Sequence, residues 1–337
     1  MMVRVVSETQ NTLSSFQHQV GGHKKSQFVV WNEKRVLKPK LKENLFSREI
    51  EFYERIQKAG ISDHSLNDGL KFFAKYYGVI LVNFEDEQRS MKLLTAENES
   101  NATTVPYLVL ENITFKISIP CIIDIKLGTQ TYEPYASLEK INYECAKYPF
   151  QKDLGFRITG FKIFNFQSRE YYTFDKNFCR QFVPEKDLMH GIALAFFNGM
   201  IFHTKILGKL LQKIEDLLRW MEEQQEYNFY SSSLLVVYSS DKDGHHGGGI
   251  EGDENGDAKE TDGELTDEHV DCDVRMIDFG HVQYVSIPLV PKDPGCIHGL
   301  RTLSEYLQRV LLLILDDSSG IEQHVKELMC HGNKMTT

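Results

Sequence analysis

The segment 120–128 constrains this chain more than any other, because it combines a buried-strand pattern with two opposite charges. Side chains alternate along a strand, so Asp124 and Lys126 face the same way while the apolar residues between and beside them point into the core. The pattern predicts a strand that presents a carboxylate next to an ammonium group. Such a pair can hold a hydroxyl-bearing ligand beside a phosphate. By itself, it equally fits a surface ion pair on a half-buried strand.

The uneven charge distribution decides which ligands the protein can bind. The 337-residue chain has a formal net charge of −10, but residues 241–271 alone hold 12 acidic and 2 basic residues. The rest of the chain is formally neutral, so its overall acidity does not exclude a polyanionic ligand. We predict that residues 240–272 form a disordered acidic insert, because they lack the large apolar side chains that would offset the entropy of ordering.

The cysteines and the apolar runs indicate a soluble protein of a reducing compartment. The 6 cysteines are scattered without a Cys-x-x-Cys pair, which argues against a disulfide framework or a zinc site. No apolar run is long enough for a transmembrane helix, and we expect no secretory leader.

Apolar periodicity predicts alternating strands and helices along most of the chain. Strands are predicted over 16–22, 28–38, 72–84, 107–110, 156–166, 233–238 and 274–277, with 16–22 and 28–38 as the two strands of a hairpin. Helices are predicted over 48–57, 136–147, 204–226 and 300–315. The polar segment 86–105 is predicted to be a mobile loop, and the acidic insert to extend from the tip of a hairpin.

Phosphoryl transfer needs charge neutralisation, a metal ion and positioning, and the sequence offers a candidate for each. Lys38 ends a predicted strand and could hold nucleotide phosphates, although a lone lysine is more often an exposed surface residue. Asp278 follows an apolar strand in the order Met-Ile-Asp-Phe-Gly, where a carboxylate can bind Mg²⁺. Ser233 lies on the strand expected to pair there and could support the metal, or it could be an ordinary strand serine. Backbone groups near Glu111 and Ile113 could bind adenine, or could simply end a strand.

A multiply phosphorylated acceptor would need several cations. Lys140 and Lys147 are seven residues apart on the predicted helix 136–147 and so share one face. Lys126 would add a third cation, and His281, three residues after Asp278, could contact a phosphate or a hydroxyl. Lysines on a helix face are usually only solvated, and the neighbouring motif is what makes a site the better interpretation.

Several separated motifs resemble, in their order, those of the inositol polyphosphate kinase family. They lie at 18–23, 36–39, 48–54, 110–112, 120–128, 154–157, 232–235, 277–281 and 299–300. The resemblance implies an ATP-dependent enzyme that phosphorylates soluble inositol phosphates. It also implies an α+β, two-lobed fold with a protein-kinase-like ATP cleft. The N-terminal lobe (1–111) would be an antiparallel sheet, and the C-terminal lobe (112–337) mixed α/β.

The resemblance also implies a role for each candidate residue. Asp124 would bind the ribose hydroxyls of ATP and Lys38 its phosphates, with adenine held near Glu111 and Ile113. Lys126 and Asp278 would be catalytic, with Asp278 and Ser233 at the Mg²⁺ ion. The inositol phosphate would be bound by Lys126, Lys140, Lys147, Lys162 and His281, with Lys176 as a weaker candidate.

Within the family, the segment 132–149 most resembles the multikinases. Inositol trisphosphate 3-kinases carry a long insertion before the motif at 154–157, and this chain has no room for it. Inositol hexakisphosphate kinases, which make pyrophosphates, share the short form and remain an alternative. A second alternative is an inert scaffold that docks partners through the acidic insert.

The multikinase branch implies inositol 1,4,5-trisphosphate as acceptor, with tetrakis- and pentakisphosphate as products. Phosphatidylinositol 4,5-bisphosphate would be a second acceptor. We expect a monomer of the nucleus and cytoplasm that binds no nucleic acid. Glu144 stands where the branch favours glutamine, and could pair with Lys140 or Lys147 and weaken the positive field of the pocket.

Overall fold

A computed structural model of the chain describes residues 14–20, 27–59, 64–85, 90–93, 104–241, 271–285, 293–316 and 320–335. Within these ranges, the chain forms two six-stranded antiparallel sheets, one two-stranded sheet and a set of helices. The predicted α+β class is confirmed.

The first sheet is built from the N-terminal third of the chain. Its strands are β1 (Ser14–Ser15), β2 (Val29–Asn32), β3 (Arg35–Pro39), β4 (Tyr76–Glu85), β5 (Ser90–Leu93) and β6 (Thr104–Glu111). They lie in the order β1-β2-β3-β6-β4-β5, so β3 and β6 are central. The helices α1 (Glu43–Ala59) and α2 (His64–Gly69), with a 3-10 turn at Leu70–Phe72, connect β3 to β4.

The second sheet carries most of the remaining strands. They are β7 (Pro120–Leu127), β8 (Phe156–Asn165), β9 (Glu170–Phe174), β11 (Ser233–Ser239), β12 (Cys272–Ile277) and β14 (Asn333–Met335). Their order is β12-β11-β7-β8-β9-β14, which places β7 between β11 and β8. The strands β10 (Tyr227–Phe229) and β13 (Val282–Tyr284) form the small sheet.

Helices lie between and beside these strands. They are α3 (Leu138–Lys147), α4 (Gln151–Leu154), α5 (Lys176–Cys179), α6 (Lys186–Leu194), α7 (Thr204–Glu223), α8 (Pro294–Leu315) and α9 (Ile321–Met329). The helices α7 and α8 bury continuous apolar stripes against the second sheet, as their 3.6-residue periodicity requires. No helix of the described ranges is both long and apolar enough to cross a bilayer.

A cluster of aromatic rings joins the segment between β3 and β4 to the end of β12. The ring of Phe52 on α1 stacks on Phe279 with centroids 4.2 Å apart, and the edges of Phe73 and Phe229 pack around the pair. Phe279 is fully buried. Because offset-stacked and edge-to-face rings prefer defined geometries, this cluster fixes the backbone next to Asp278.

Several predicted boundaries are wrong for identifiable reasons. The segment 28–38 is a hairpin and not one strand, because the Asn32 side chain accepts a hydrogen bond from the Lys34 amide and turns the chain. The helix predicted from 300 starts at Pro294, where the Asp293 side chain caps the Cys296 amide. Residues 16–20 turn instead of forming a strand.

Two predicted loops fall mainly outside the described residues. Within the predicted loop 86–105, residues 90–93 form β5, and β6 starts at residue 104. The loop prediction is therefore wrong at these residues. Residues 86–89 and 94–103 lie outside the described ranges. Of the acidic insert, 242–270 lie outside the described ranges, as do 21–23 of the first motif. The described ends of the insert follow β11 and open β12, two paired strands, as predicted.

The close approach of Gly155 and Gly299 seats α8 against the end of β7. Gly155 has φ of 68°, and its carbonyl oxygen accepts a hydrogen bond from the Gly128 amide at 2.7 Å. A Cβ atom at position 299 would lie 2.0 Å from that oxygen.

We therefore expect Gly299→Ala to lower the free energy of unfolding by about 3 kcal/mol, because backbone cannot yield as a flexible side chain can. Gly208→Ala on α7 is the matched control. A Cβ there meets no atom within 4 Å. That variant should gain about 0.5–1 kcal/mol from helix propensity. Urea titration of both variants measures the difference, and equal effects would contradict the packing argument.

Candidate active site

The candidate site forms where three neighbouring strands of the second sheet end. Ser233 on β11 pairs with Lys126 on β7 and, on its other side, with Ile277 on β12. Asp278 directly follows Ile277, and Asp124 lies two residues before Lys126. The register therefore brings together four predicted site residues from three separate segments.

Lys38 joins the first sheet to this point. Its Nζ donates to Asp278 Oδ1 at 2.6 Å and to Glu49 Oε1 at 2.7 Å. Burial opposes the charge of Lys38, but the two carboxylates outweigh it and raise its pKa above the ordinary value. Lys38 is therefore a half-buried cation held between two anions, and not the exposed surface lysine of the alternative interpretation.

Glu49 is a site residue that sequence reasoning missed. It lies on α1 and is buried on the same helix face as Phe46 and Tyr53. Its Oε1 also accepts from the Phe279 amide at 3.3 Å. An acidic residue on the apolar face of a helix needs a buried partner, and this signal could have identified Glu49.

Asp278 is ionised and partly open to solvent. Its backbone has φ of 67°, a left-handed conformation that aspartate tolerates better than most residues. Burial raises its pKa, but the charges of Lys38 and Lys126 and the hydrogen bond from Lys38 lower it to about 2. The side chain is 46% exposed, so the carboxylate can still reach a ligand.

The pKa of Asp124 is shifted in the opposite direction from that of Asp278. Asp124 is 7% exposed, and burial raises its pKa although the charge of Lys126 counteracts this. Ser233 and Thr159 lie close enough to lower that pKa in part. Within the described ranges, however, neither Asp124 Oδ1 nor Ser233 Oγ has a hydrogen-bond partner of normal geometry. A buried acceptor without a donor fits the hydroxyl groups of a ribose.

Lys126 lies close enough to both carboxylates to influence their charge. Its Nζ donates to the Ser231 carbonyl at 2.7 Å, and its charge acts on both Asp124 and Asp278. Ser231 has φ of 56°, so the chain bends sharply to offer that carbonyl. The ammonium group is thus anchored by a backbone carbonyl while its charge reaches both carboxylates.

The donor set allows a divalent metal only in partnership with a ligand. The described part of the chain contains no cluster of three or more His, Cys, Asp or Glu side chains that could hold a metal ion. Asp278, with the hydroxyl of Ser233, could supply one side of an octahedral site, and nucleotide phosphates and water would supply the rest. This fits Mg²⁺, which keeps several waters and is often bound through one or two carboxylates and phosphates.

The predicted acceptor lysines converge on one carboxylate. Lys147 Nζ donates to Glu144 Oε2 at 2.7 Å, and Lys140 Nζ donates to Glu144 Oε1. Glu144 is buried, and although burial raises its pKa, the two lysines lower it below its ordinary value. The ring of Tyr143 lies 4.4 Å from Lys147 Nζ. The expected pairing of Glu144 is confirmed with both lysines.

His281 is held by an acidic residue that the sequence analysis did not select. Its Nδ1 lies 3.0 Å from Glu133 Oε1, and Arg48 of α1 pairs with the same carboxylate. Burial raises the pKa of Glu133, but these two partners lower it below its ordinary value. Glu133 thus links α1 to the segment after Asp278. Ion pairs between distant segments leave no local sequence pattern, so Glu133 and Arg48 could not be assigned from periodicity.

Lys162 and Lys176 do not share the contacts of the other acceptor candidates. Lys162 is buried opposite Ile122, donates to the Gln17 carbonyl at 2.7 Å and lies over the Tyr171 ring. Burial lowers its pKa. Lys176 is the exposed first residue of α5.

Glu111 and Ile113 occupy the end of β6 and the segment after it. Glu111 Oε2 accepts from the Lys75 amide at 3.1 Å, and the backbone amides of Glu111 and Asn112 donate to the carbonyls of Lys75 and Lys34, both at 2.9 Å. Ile113 and Leu235 pack against a buried apolar cluster of Val20, Ile117, Ile122 and Val237. Leu235 is paired with Asp124, which places this cluster beside the proposed ribose ligand.

We expect Asp278→Asn to change how stability depends on pH. A carboxylate whose folded pKa is depressed contributes stability above its ordinary pKa, and this contribution is lost as the pH falls through about 2. The difference in unfolding free energy between the wild type and Asp278→Asn should therefore shrink between about pH 5 and about pH 2. Urea unfolding across this range measures it, with the exposed Asp68→Asn as control. A constant difference would show that lysines do not hold Asp278 ionised.

The sequence of the chain is similar to one protein family and to several curated proteins. The sequence model of the inositol polyphosphate kinase family matches residues 107–308. The chain is 36% identical over 191 residues to the inositol polyphosphate multikinase of Mus musculus, covering 57% of this chain and 44% of that protein. It is 28% identical over 233 residues to inositol hexakisphosphate kinase 2 of Homo sapiens, covering 64% and 54%. The chain thus spans about half the length of these curated relatives.

Solved structures agree with the fold. The crystal structure of the inositol phosphate multikinase Ipk2 from S. cerevisiae, in complex with ADP and Mn²⁺, superposes with a TM-score of 0.57 at 24% identity. The match covers 82% of this chain and 99% of that one. A second inositol phosphate multikinase structure gives a TM-score of 0.54 at 19% identity, over 78% of this chain. At these identities, the likeness concerns the fold alone.

Proposed function

The chain belongs to the inositol polyphosphate kinase family, and on this premise we propose that it transfers the γ-phosphoryl group of ATP to inositol polyphosphates. The proposed acceptors are inositol 1,4,5-trisphosphate and its tetrakisphosphate product, as in a multikinase. The observation that carries the proposal is the convergence of Lys38, Asp124, Lys126 and Asp278 at one point of the fold.

The proposed nucleotide site uses groups from both large sheets. The unpaired Oδ1 of Asp124 accepts a hydrogen bond from the ribose, and the apolar cluster beside Ile113 receives the adenine ring. Lys38 neutralises phosphate charge while Glu49 keeps the ammonium group in place. A related multikinase was solved with ADP and Mn²⁺, which supports nucleotide and divalent-metal binding here.

The charges divide the catalytic work between Lys126 and Asp278. A carboxylate with a pKa of about 2 is a poor general base at neutral pH, so Asp278 acts by holding Mg²⁺ with Ser233. Bound Mg²⁺ neutralises charge on the nucleotide phosphates. Lys126 stabilises the transferring group, because its charge acts on both the proposed ribose ligand, Asp124, and the proposed metal ligand, Asp278.

The acceptor binds at the edge of this centre. Lys140, Lys147 and His281 supply its phosphate ligands, and Lys162 joins them only if it leaves the Gln17 carbonyl. The two large sheets act as lobes with a boundary near residue 111. We further propose phosphatidylinositol 4,5-bisphosphate as a second acceptor. We also propose that the protein is a monomer and is located in the nucleus and the cytoplasm.

A hexakisphosphate kinase is the second candidate, because the chain also matches that branch at 28% identity. The match to the multikinases is stronger, at 36%. An inert scaffold is disfavoured, since residues suited to the nucleotide, the metal and the acceptor occur together in the described ranges.

Incubation with Mg-ATP and inositol 1,4,5-trisphosphate should give tetrakis- and pentakisphosphate, resolved by anion-exchange chromatography. We expect Lys126→Ala to lower kcat/KM by about 100-fold or more, because a cation aimed at developing charge is lost. Lys152→Ala, at an exposed position of α4, is the control and should retain activity. Pyrophosphate formation from inositol hexakisphosphate would instead identify the second candidate. If neither acceptor gives a product, both proposed kinase activities are wrong, although the chain has the fold of the family.

A further inference from the structure

A buried arginine without a partner lies next to the candidate site. Arg157 on β8 is paired with Lys126 on β7, so two cations stand directly opposite each other. Arg157 is 8% exposed, and its Nη1 has no hydrogen-bond partner in the described part of the chain. Buried unpaired charges are costly and like charges across a strand pair are unfavourable, so this arrangement needs a compensating anion.

Glu144 is the anion that acts most strongly on Arg157, yet the two are not in contact. Burial lowers the pKa of Arg157, and Glu144 opposes this more than any other neighbouring charge does. No salt bridge joins the pair, since the two oxygens of Glu144 are taken by Lys140 and Lys147. The carboxylate therefore has two present partners and a third cation within electrostatic reach.

Helix α3, which carries Lys140, Glu144 and Lys147, is held in position mainly by charged groups. Glu144 is 6% exposed and is the buried residue of α3, whose other side chains are half-buried or exposed. A helix anchored by a carboxylate instead of an apolar stripe can adjust when the ionic partners of that carboxylate change. Phosphates that bind Lys140 and Lys147 would remove both partners at once, and an uncompensated buried carboxylate would then repel the same phosphates.

We propose an ion-pair exchange, in which Glu144 passes from Lys140 and Lys147 to Arg157 when acceptor phosphates bind the two lysines. Arg157 is then a positioning residue that acts through Glu144 and sets how tightly a polyphosphate is held. This inference rests on the proposed function, because it takes the two lysines as acceptor ligands.

The exchange makes a specific prediction about the two residues. Without Arg157, Glu144 keeps its lysines and acceptor affinity falls. Without the Glu144 carboxylate, Lys140 and Lys147 are free to bind phosphates, and the ion pair between Glu144 and Arg157 cannot form. Glu144→Gln should therefore suppress the defect of Arg157→Met, whereas a purely structural arginine would give effects that add.

The experiment is a double-mutant cycle with inositol 1,4,5-trisphosphate, measured by calorimetric titration and by steady-state kinetics. We expect Arg157→Met to raise the Kd about tenfold while the KM for ATP stays within about twofold. Glu144→Gln should lower the Kd, and the double variant should lie within about threefold of Glu144→Gln. Arg157→Lys should retain most of the affinity. Glu139→Gln removes the same formal charge from an exposed position of α3 and should stay within about twofold of the wild type.

The outcomes separate the exchange from the proposed function. A double variant as weak as Arg157→Met overturns the exchange even if the wild type forms product. Wild-type binding without product overturns the proposed function, while the binding cycle still decides the exchange. Absence of trisphosphate binding overturns both. If Arg157→Met fails to unfold cooperatively on heating, Glu144→Gln alone decides, because an unchanged Kd contradicts the exchange.

Discussion

The salt bridge between Lys38 and Asp278 is the contact on which the geometry of the candidate site depends. It joins side chains 240 positions apart in sequence, from two different sheets, at 2.6 Å. A lysine that loses most of its contact with water needs paired anions, so Glu49 and Asp278 together make the position of Lys38 tolerable. The same contact holds Asp278 beside Lys126. This interaction therefore couples the position of the first sheet to the charge state of the site.

Two carboxylates a short distance apart have different environments, and this explains how one cleft can serve different ligands. Asp278 is attended by two lysines and stays ionised, with a pKa of about 2. Asp124 is buried beside only one of them, and its pKa is raised. An ionised, partly exposed carboxylate suits a metal ion, whereas a buried acceptor suits neutral hydroxyl donors. Environment, more than residue type, assigns their roles.

Local patterns predicted the parts of this site that lie on single elements. Alternation placed Asp124 with Lys126, and helical spacing placed Lys140 with Lys147, because strand and helix periods fix which side chains share a face. Glu133 and Arg157 could not be assigned because their neighbours lie on distant elements and leave no periodic signal, whereas Glu49 was marked only by its place on the apolar face of α1. The hairpin at 28–38 was misjudged since one side-chain turn at Asn32 interrupts an otherwise strand-like pattern.

The acceptor half of the site has less structural constraint than the nucleotide half. Lys38, Glu49 and Asp278 are tied to the aromatic cluster of Phe52 and Phe279, so substitutions there disturb the fold as well as the chemistry. Helix α3 buries little except the carboxylate of Glu144. Residues on α3 can therefore change charge while the core stays intact. Selectivity among polyphosphates should then follow from the balance of Glu144 against its three neighbouring cations, because each phosphate that binds must compete with that carboxylate.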